Sequence, residues 1–180
     1  TESGERVKES IDLKTGEYHP STPSHLESVA AGRQGLRALV EHPDKSGRYA
    51  WRVLSHTLSY VASLVTEIAD TIQDVDEAMR TGYAWKWGPF ELLDQLGPAW
   101  FSHRLQQDGM PVPGLVTAVG EGNFYRNQDS TLESFGHSGR YNTISRAEGV
   151  LLLSDIKRER ARIAGNSAAS AWDLGDQVLC

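Results

Sequence analysis

Glu67, Asp70, Asp74 and Asp76 form a dense run of carboxylates midway along the chain. Side chains of this type could gather a cation. Helix capping and solvated helix faces account for most of the run without that chemistry. Ser55 and His56 supply a hydroxyl and an imidazole, but neighbours on one helix point apart and cannot form a dyad. No G-x-S-x-G elbow accompanies them. His56 and Ser59 lie close enough in helical spacing to touch, which a surface hydrogen bond would satisfy. His19, His25, His42, His56, His103 and His137 show no paired metal-ligand spacing. Gly120-Glu121-Gly122 is an isolated pair of glycines after a weak helix, and no strand–GxGxxG–helix unit is present. Cys180 stands alone, which excludes a disulfide framework and a thiolate zinc site and fits a reducing compartment. The sequence therefore assigns no catalytic, cofactor-binding or metal-ligating residue, and leaves substrate contacts unassigned.

The elements that would position any site are clearest between Glu67 and Gly97. Asp74-Val75-Asp76-Glu77 has the form of a capping box, with Asp74 as N-cap and Glu77 reaching back. Val75, Ala78 and Met79 give that helix one apolar face, and Gly82 is placed to close it in the left-handed conformation. Tyr83 to Trp87 follows as a short aromatic crossing. Trp85 and Trp87 could stack a ligand such as an adenine ring. In an extended crossing, indoles two apart point opposite ways, one into the core and one over its rim. Gly88-Pro89 restarts a helix, since proline at its first position loses only an unpartnered amide. Phe90, Leu92 and Leu93 then face inward, Glu91 lies near the positive helix end, and Gly97 ends the helix.

Upstream, Trp51, Leu54, Leu58, Val61, Val65 and Ile68 recur at spacings of three and four, with Tyr60 and Leu64 widening the stripe. That helix would span roughly 33 Å. GRQGLRALVEH predicts a helix ending before Pro43, and a shorter one is expected from near Ser24. Trp100–Gln107 and Val112–Val119 are weaker helical stretches. Glu9 to Tyr18 reads as a hairpin turning at Thr15-Gly16, and a second turns at Ser138-Gly139. ESIDLKTGEY and ESFGHSGRY are similar enough to predict matching hairpins that pack side by side. A short helix near Leu152 to Arg160 precedes extended segments at Ala161–Ile163 and Ala171–Leu174.

Composition narrows the class. A chain of 180 residues, 39% hydrophobic and 23% charged, can bury a real core. A net charge of −6 argues against nucleic-acid binding, and the short basic run from Lys157 to Arg162 reads as a solvated face. No apolar run reaches membrane-span length, and the first residues lack a signal-peptide pattern. Cytoplasmic placement is the expectation.

The ordered elements D-x-D-x-A-M from Asp74, the glycine–aromatic turn after Gly82 and G-P-F-E-L from Gly88 resemble the C-terminal domain of 3-hydroxyacyl-CoA dehydrogenases. The resemblance runs from Gly47 to about Gly97. It implies a mainly α fold, similar to the C-terminal domain of 6-phosphogluconate dehydrogenase, with two small hairpins and a β-inclined tail. In that family an NAD-binding Rossmann domain precedes one or two helical copies, and oxidises 3-hydroxyacyl-CoA to 3-oxoacyl-CoA. Asn166 to Cys180 resembles the lead-in to an enoyl-CoA hydratase domain. The expected organisation is 1–46, a hairpin and short helices; 47–121, the helical domain; 122–165, a second hairpin and helix; 166–180, the lead-in. Both chain ends read as interrupted, as in a second helical copy taken from a multidomain β-oxidation protein. NAD would then belong to the parent, and the partners would be its Rossmann and first helical domains and a hydratase domain. The fragment alone could pair with itself.

Departures from the family bear on activity. The family's catalytic His–Glu pair belongs to the Rossmann domain. Members with a working cleft also place an asparagine on the long helix where this chain has Leu58, flanked by Ser55, His56 and Ser59. A structural, catalytically silent role is what the resemblance implies. A competing resemblance is to J-domain co-chaperones, which carry His-Pro-Asp between two helices, as His42-Pro43-Asp44 does here. The preceding helix has only Arg33 and Arg37 in place of a basic docking face.

Overall fold

The computed structural model describes the chain apart from residues 1–6, 22–25, 130, 146–148, 151, 154–155, 158–159 and 167. The helical elements are α1 (Glu27–Ala31), α2 (Leu36–Glu41), α3 (Lys45–Ile68), α4 (Ile72–Tyr83), α5 (Pro89–Leu96), α6 (Pro98–Gln107) and α7 (Gly114–Val119). The strands are β1 (Glu9–Ile11), β2 (Tyr18–Pro20), β3 (Tyr125–Gln128), β4 (Thr131–Phe135), β5 (Tyr141–Thr143), β6 (Ala164–Gly165), β7 (Ser170–Ala171), β8 (Asp173–Gly175) and β9 (Val178–Leu179). The chain is thus mainly α with small antiparallel sheets, as the sequence predicts. The start expected near Ser24 and much of the helix expected from Leu152 to Arg160 fall outside the described residues.

Helix α3 is the spine. Asp44 caps it by accepting from the Gly47 amide at 2.8 Å. Gly47 is needed there because a Cβ would lie 2.2 Å from the His42 carbonyl oxygen. The buried face is Trp51, Ser55, Leu58, Ala62 and Val65, with Leu54 and Val61 at its margin. This corrects the predicted stripe at its edges: Tyr60 and Ile68 are exposed. Ser55 and Ala62 take the intervening buried places.

Helix α4 begins one turn before its expected start. Thr71, not Asp74, is the N-cap. Its hydroxyl accepts from the Asp74 amide at 3.2 Å, and the Asp74 carboxylate accepts from the Thr71 amide at 3.2 Å. The earlier start buries Ile72, and the inward face becomes Ile72, Val75 and Asp76, with Ala78 exposed. The end is also displaced: Gly82 stays helical, and Ala84 takes the left-handed position at φ 55°. Trp85 then donates to the Met79 carbonyl at 3.2 Å. An L-residue with a Cβ pays roughly 1 kcal/mol in that conformation, so Ala84→Gly is expected to raise stability by about 0.5–1 kcal/mol in urea unfolding.

Helices α5 and α6 meet at the single residue Gly97, at φ 85°, with Pro89 and Pro98 in the first turns of their helices. Phe90, Leu93, Leu96, Phe101 and Leu105 fill the centre. Phe124, just before β3, stacks edge-on against Phe90 with centroids 4.9 Å apart, and Phe135 from β4 extends the cluster. The same core takes Val40 from α2.

The second hairpin is part of a three-stranded sheet in the order β3-β4-β5. Strand β3 went unforeseen because Tyr125-Arg126-Asn127-Gln128 is polar and largely exposed. The two similar sequences do give matching turns, with Gly16 and Gly139 both at φ 76°. They lie in separate sheets rather than paired side by side. The tail is β-inclined as expected, but its strands are β6–β7 and β8–β9, shifted from the predicted segments.

Candidate functional site

The family-like motif of α4 and α5 folds into one polar joint. Asp76, only 1% exposed, lies on the buried face of α4. Its Oδ1 accepts from the Phe90 amide at 2.9 Å, and its Oδ2 accepts from the Glu91 amide at 3.2 Å. These are orphan N–H groups of the first turn of α5, where the helix dipole favours a negative charge. The Tyr125 hydroxyl also donates to Asp76 Oδ2, at 2.9 Å. Gly88 makes the approach possible, since a Cβ there would sit 2.2 Å from Asp76 Cγ. Glu91 accepts from the Gly88 amide and from Arg80, each at 2.7 Å.

A second carboxylate fastens the sheet. Asp94 on α5 accepts from the Phe124 amide at 2.6 Å and the Tyr125 amide at 2.9 Å. Burial pushes both Asp76 and Asp94 up to about 6, against the opposing pull of their amide donors. Burial likewise lifts the Tyr125 phenol far above its usual range, with the charge of Asp76 adding to the effect. Between α4, α5 and the sheet lies a cleft of about 450 Å³, with Glu77, Arg80, Glu91 and Asp94 among its polar walls and Trp87, Leu132 and Ile144 among its apolar ones.

The raised carboxylates fix the sign of a pH effect. With folded values near 6 and unfolded values near 4, the folded state holds more protons across that interval. Stability is expected to fall as pH rises from about 4 to about 6 and then level, by up to about 3 kcal/mol for each carboxylate. Asp44, held low chiefly by the Gly47 amide, acts in the opposite sense and mainly below that window. Urea midpoints across the window check this, and an Asp76→Asn, Asp94→Asn double variant should flatten the slope.

Other sequence candidates are dispersed. Glu67 and Asp70 are exposed, and Asp74 is the capping partner of Thr71. Among the described residues no group of three His, Cys, Asp or Glu could hold a metal. Ser55 donates to the Arg52 carbonyl, while the Ser59 hydroxyl has no hydrogen-bond partner among the described residues, so the contact with His56 that helical spacing allows is not made. His42-Pro43-Asp44 is structural: Asp44 also accepts from the Ser28 amide at 3.0 Å, and His42 Nδ1 accepts from the Asp44 amide at 3.4 Å. Leu58, where the resemblance leads one to expect an asparagine, is wholly buried in the core. Trp85 is half-buried, and Trp87, 44% exposed, lines the cleft.

Sequence reasoning misses Asp94, takes Tyr125 only as an aromatic of the second hairpin region, and groups Asp76 with the capping carboxylates. The available signal for Asp76 was its spacing from Ile72 and Val75, which puts it on an apolar stripe. A carboxylate there must find buried donors.

A family model described as 3-hydroxyacyl-CoA dehydrogenase, C-terminal domain, matches residues 47–149, more than half of the chain. The chain belongs to that family. A probable 3-hydroxyacyl-CoA dehydrogenase of Bacillus subtilis is 33% identical over 177 residues, covering 93% of this chain and 22% of that protein. A putative fatty acid oxidation complex trifunctional enzyme of Rickettsia felis is 34% identical over 91 residues, covering 51% of this chain and 12% of that protein. This chain thus spans about a fifth of the Bacillus protein's length. No solved structure matches. The match reaches past Gly97 and takes in the β3–β5 sheet, which Asp94 and Phe124 bind into the same core.

The family's dehydrogenases use NAD, and the described residues do not fit it. Every described sheet is antiparallel, whereas a dinucleotide fold needs a parallel strand–turn–helix unit. Gly122 is turned toward Tyr141, whose hydroxyl would lie 2.8 Å from an added Cβ, and leaves no cradle for a phosphate. No membrane-spanning helix occurs among the described residues.

Proposed function

We propose that this chain is a non-catalytic helical domain of a fatty-acid β-oxidation 3-hydroxyacyl-CoA dehydrogenase, packing on a catalytic helical copy and shaping the rim of its cleft. The parent would oxidise 3-hydroxyacyl-CoA to 3-oxoacyl-CoA with NAD bound by a Rossmann domain. A hydratase domain would follow the lead-in at 166–180, and the parent would be cytoplasmic. The carrying observation is the use made of the family motif. Asp76, Gly88 and Glu91 are committed to joining α4 to α5, and Leu58 is buried in the core.

The names of the Bacillus and Rickettsia relatives support the parent activity. Exposed Tyr49, Val53 and Tyr60 on α3 offer an apolar surface for another helical domain or a second copy of this chain. His42-Pro43-Asp44 is tied into the capping of α3, which favours this reading over a co-chaperone.

Calorimetric titration of acetoacetyl-CoA and free CoA into the folded chain, with and without NAD, tests the proposal. No binding heat is expected. Saturable binding without NAD would mean that the domain retains a substrate pocket of its own, and would overturn the silent role.

A further inference from the structure

The cleft beside the α4–α5 joint has chemistry that the framework role does not use. Its size, about 450 Å³, is that of a small-molecule pocket. Leu132 and Ile144 give it an apolar wall, and Trp87 stands at its rim, 44% exposed. Among the described residues, the polar side carries the carboxylates of Glu77, Glu91 and Asp94 against the guanidinium of Arg80, with the Lys86 ammonium over the Trp87 ring at the rim. Arg80 is already bonded to Glu91, and Asp94 is already bonded to two amides. Glu77 makes no side-chain hydrogen bond among the described residues.

The excess of negative charge repels phosphates and carboxylates and attracts a cation. An indole face adds to that preference, because its quadrupole binds cations. Trp87 already displays this, with the Lys86 ammonium 5.4 Å from its ring centroid. A hydrated metal ion would gain nothing from Leu132, Ile144 or the indole. An alkyl or aryl amine would use all of them.

We propose that this cleft binds a small organic cation with an apolar body, its ammonium between Glu77 and the Trp87 face and its hydrocarbon along Leu132 and Ile144. This binding does not rest on the framework role proposed above. The described carboxylates disfavour the phosphates of CoA, so failure of CoA to bind leaves the site untouched.

The test is a nuclear magnetic resonance titration of the chain with n-hexylammonium, n-hexanol and hexanoate. The readouts are the indole N–H of Trp87 and the side-chain amides of Gln73 and Gln95, which also line the cleft. The expected result is saturable shifts with the amine, weakened by added salt, with hexanol binding about two- to fivefold more weakly and hexanoate not at all. Glu77→Gln, at an exposed position, should weaken amine binding by roughly two- to fivefold and leave hexanol unchanged. Trp87→Leu should weaken the amine by a similar factor. Equal binding of hexanol and amine, any saturable binding of hexanoate, or no saturable shift at these groups would overturn the proposal.

Discussion

Replacing Gly88 by alanine is expected to destabilise the chain by about 3 kcal/mol or more, near the upper end for overpacking a well-filled site. The backbone is not the reason: Gly88 has φ −72°, which alanine adopts freely. The cost comes from Asp76, whose Cγ and Cβ would lie 2.2 and 2.3 Å from the new methyl group. Neither is the far end of a flexible chain, because the Asp76 carboxylate is held by three donors. Gly82 is the control. It is helical with nothing within 4 Å of an added Cβ, so Gly82→Ala should gain up to about 1 kcal/mol. Urea unfolding of the two variants gives opposite signs if the joint is built as described.

Asp76→Ala carries the second large expectation, a loss of about 3 kcal/mol. Removing the carboxylate strands the Phe90 amide, the Glu91 amide and the Tyr125 hydroxyl, each a group costing about 1–3 kcal/mol when buried without a partner. Water entering the vacated space recovers part of that sum. The two substitutions should be coupled, because alanine at position 76 removes the Cγ and Oδ1 that Gly88→Ala would strike but keeps the Cβ, 2.3 Å from the new methyl group. A double-mutant cycle is therefore expected to show that Gly88→Ala costs less in the Asp76→Ala background than alone, and least in an Asp76→Gly background. Additive losses in both backgrounds would mean that the clash arises elsewhere.

These residues also mark how far the fold was legible in sequence. The spine helix, the proline-started α5 and the glycine closure at Gly97 rest on local rules of periodicity and capping, and they stand where those rules place them. The start of α4 was displaced because two capping signals overlap: Thr71–Asp74 and Asp74–Glu77 both have the required spacing. Burial of Ile72 decides between them, and burial is a tertiary fact. Ala84 was missed for a related reason. Gly82 is the locally favoured closure, but the bond from Trp85 to Met79 selects a later residue for the left-handed position.

The joint itself was half-legible. Its motif was visible as an ordered pattern, and the pattern is explained by contact: Asp76 fills the space that Gly88 leaves and caps the helix that Pro89 begins. What spacing could not supply was the third participant. Asp94 and Tyr125 join through a sheet whose first strand is polar and short, with no alternation to announce it. Long-range pairs of this kind leave no local periodicity.

The central claim is that the family motif here builds framework rather than dehydrogenase chemistry. Its most direct test is the loss of NADH absorbance when the folded chain is mixed with acetoacetyl-CoA and NADH, with folding verified by circular dichroism. The expected rate is that of the buffer blank. A rate above the blank that scales with chain concentration and falls in the Asp76→Asn variant would contradict the claim, placing the joint in catalysis.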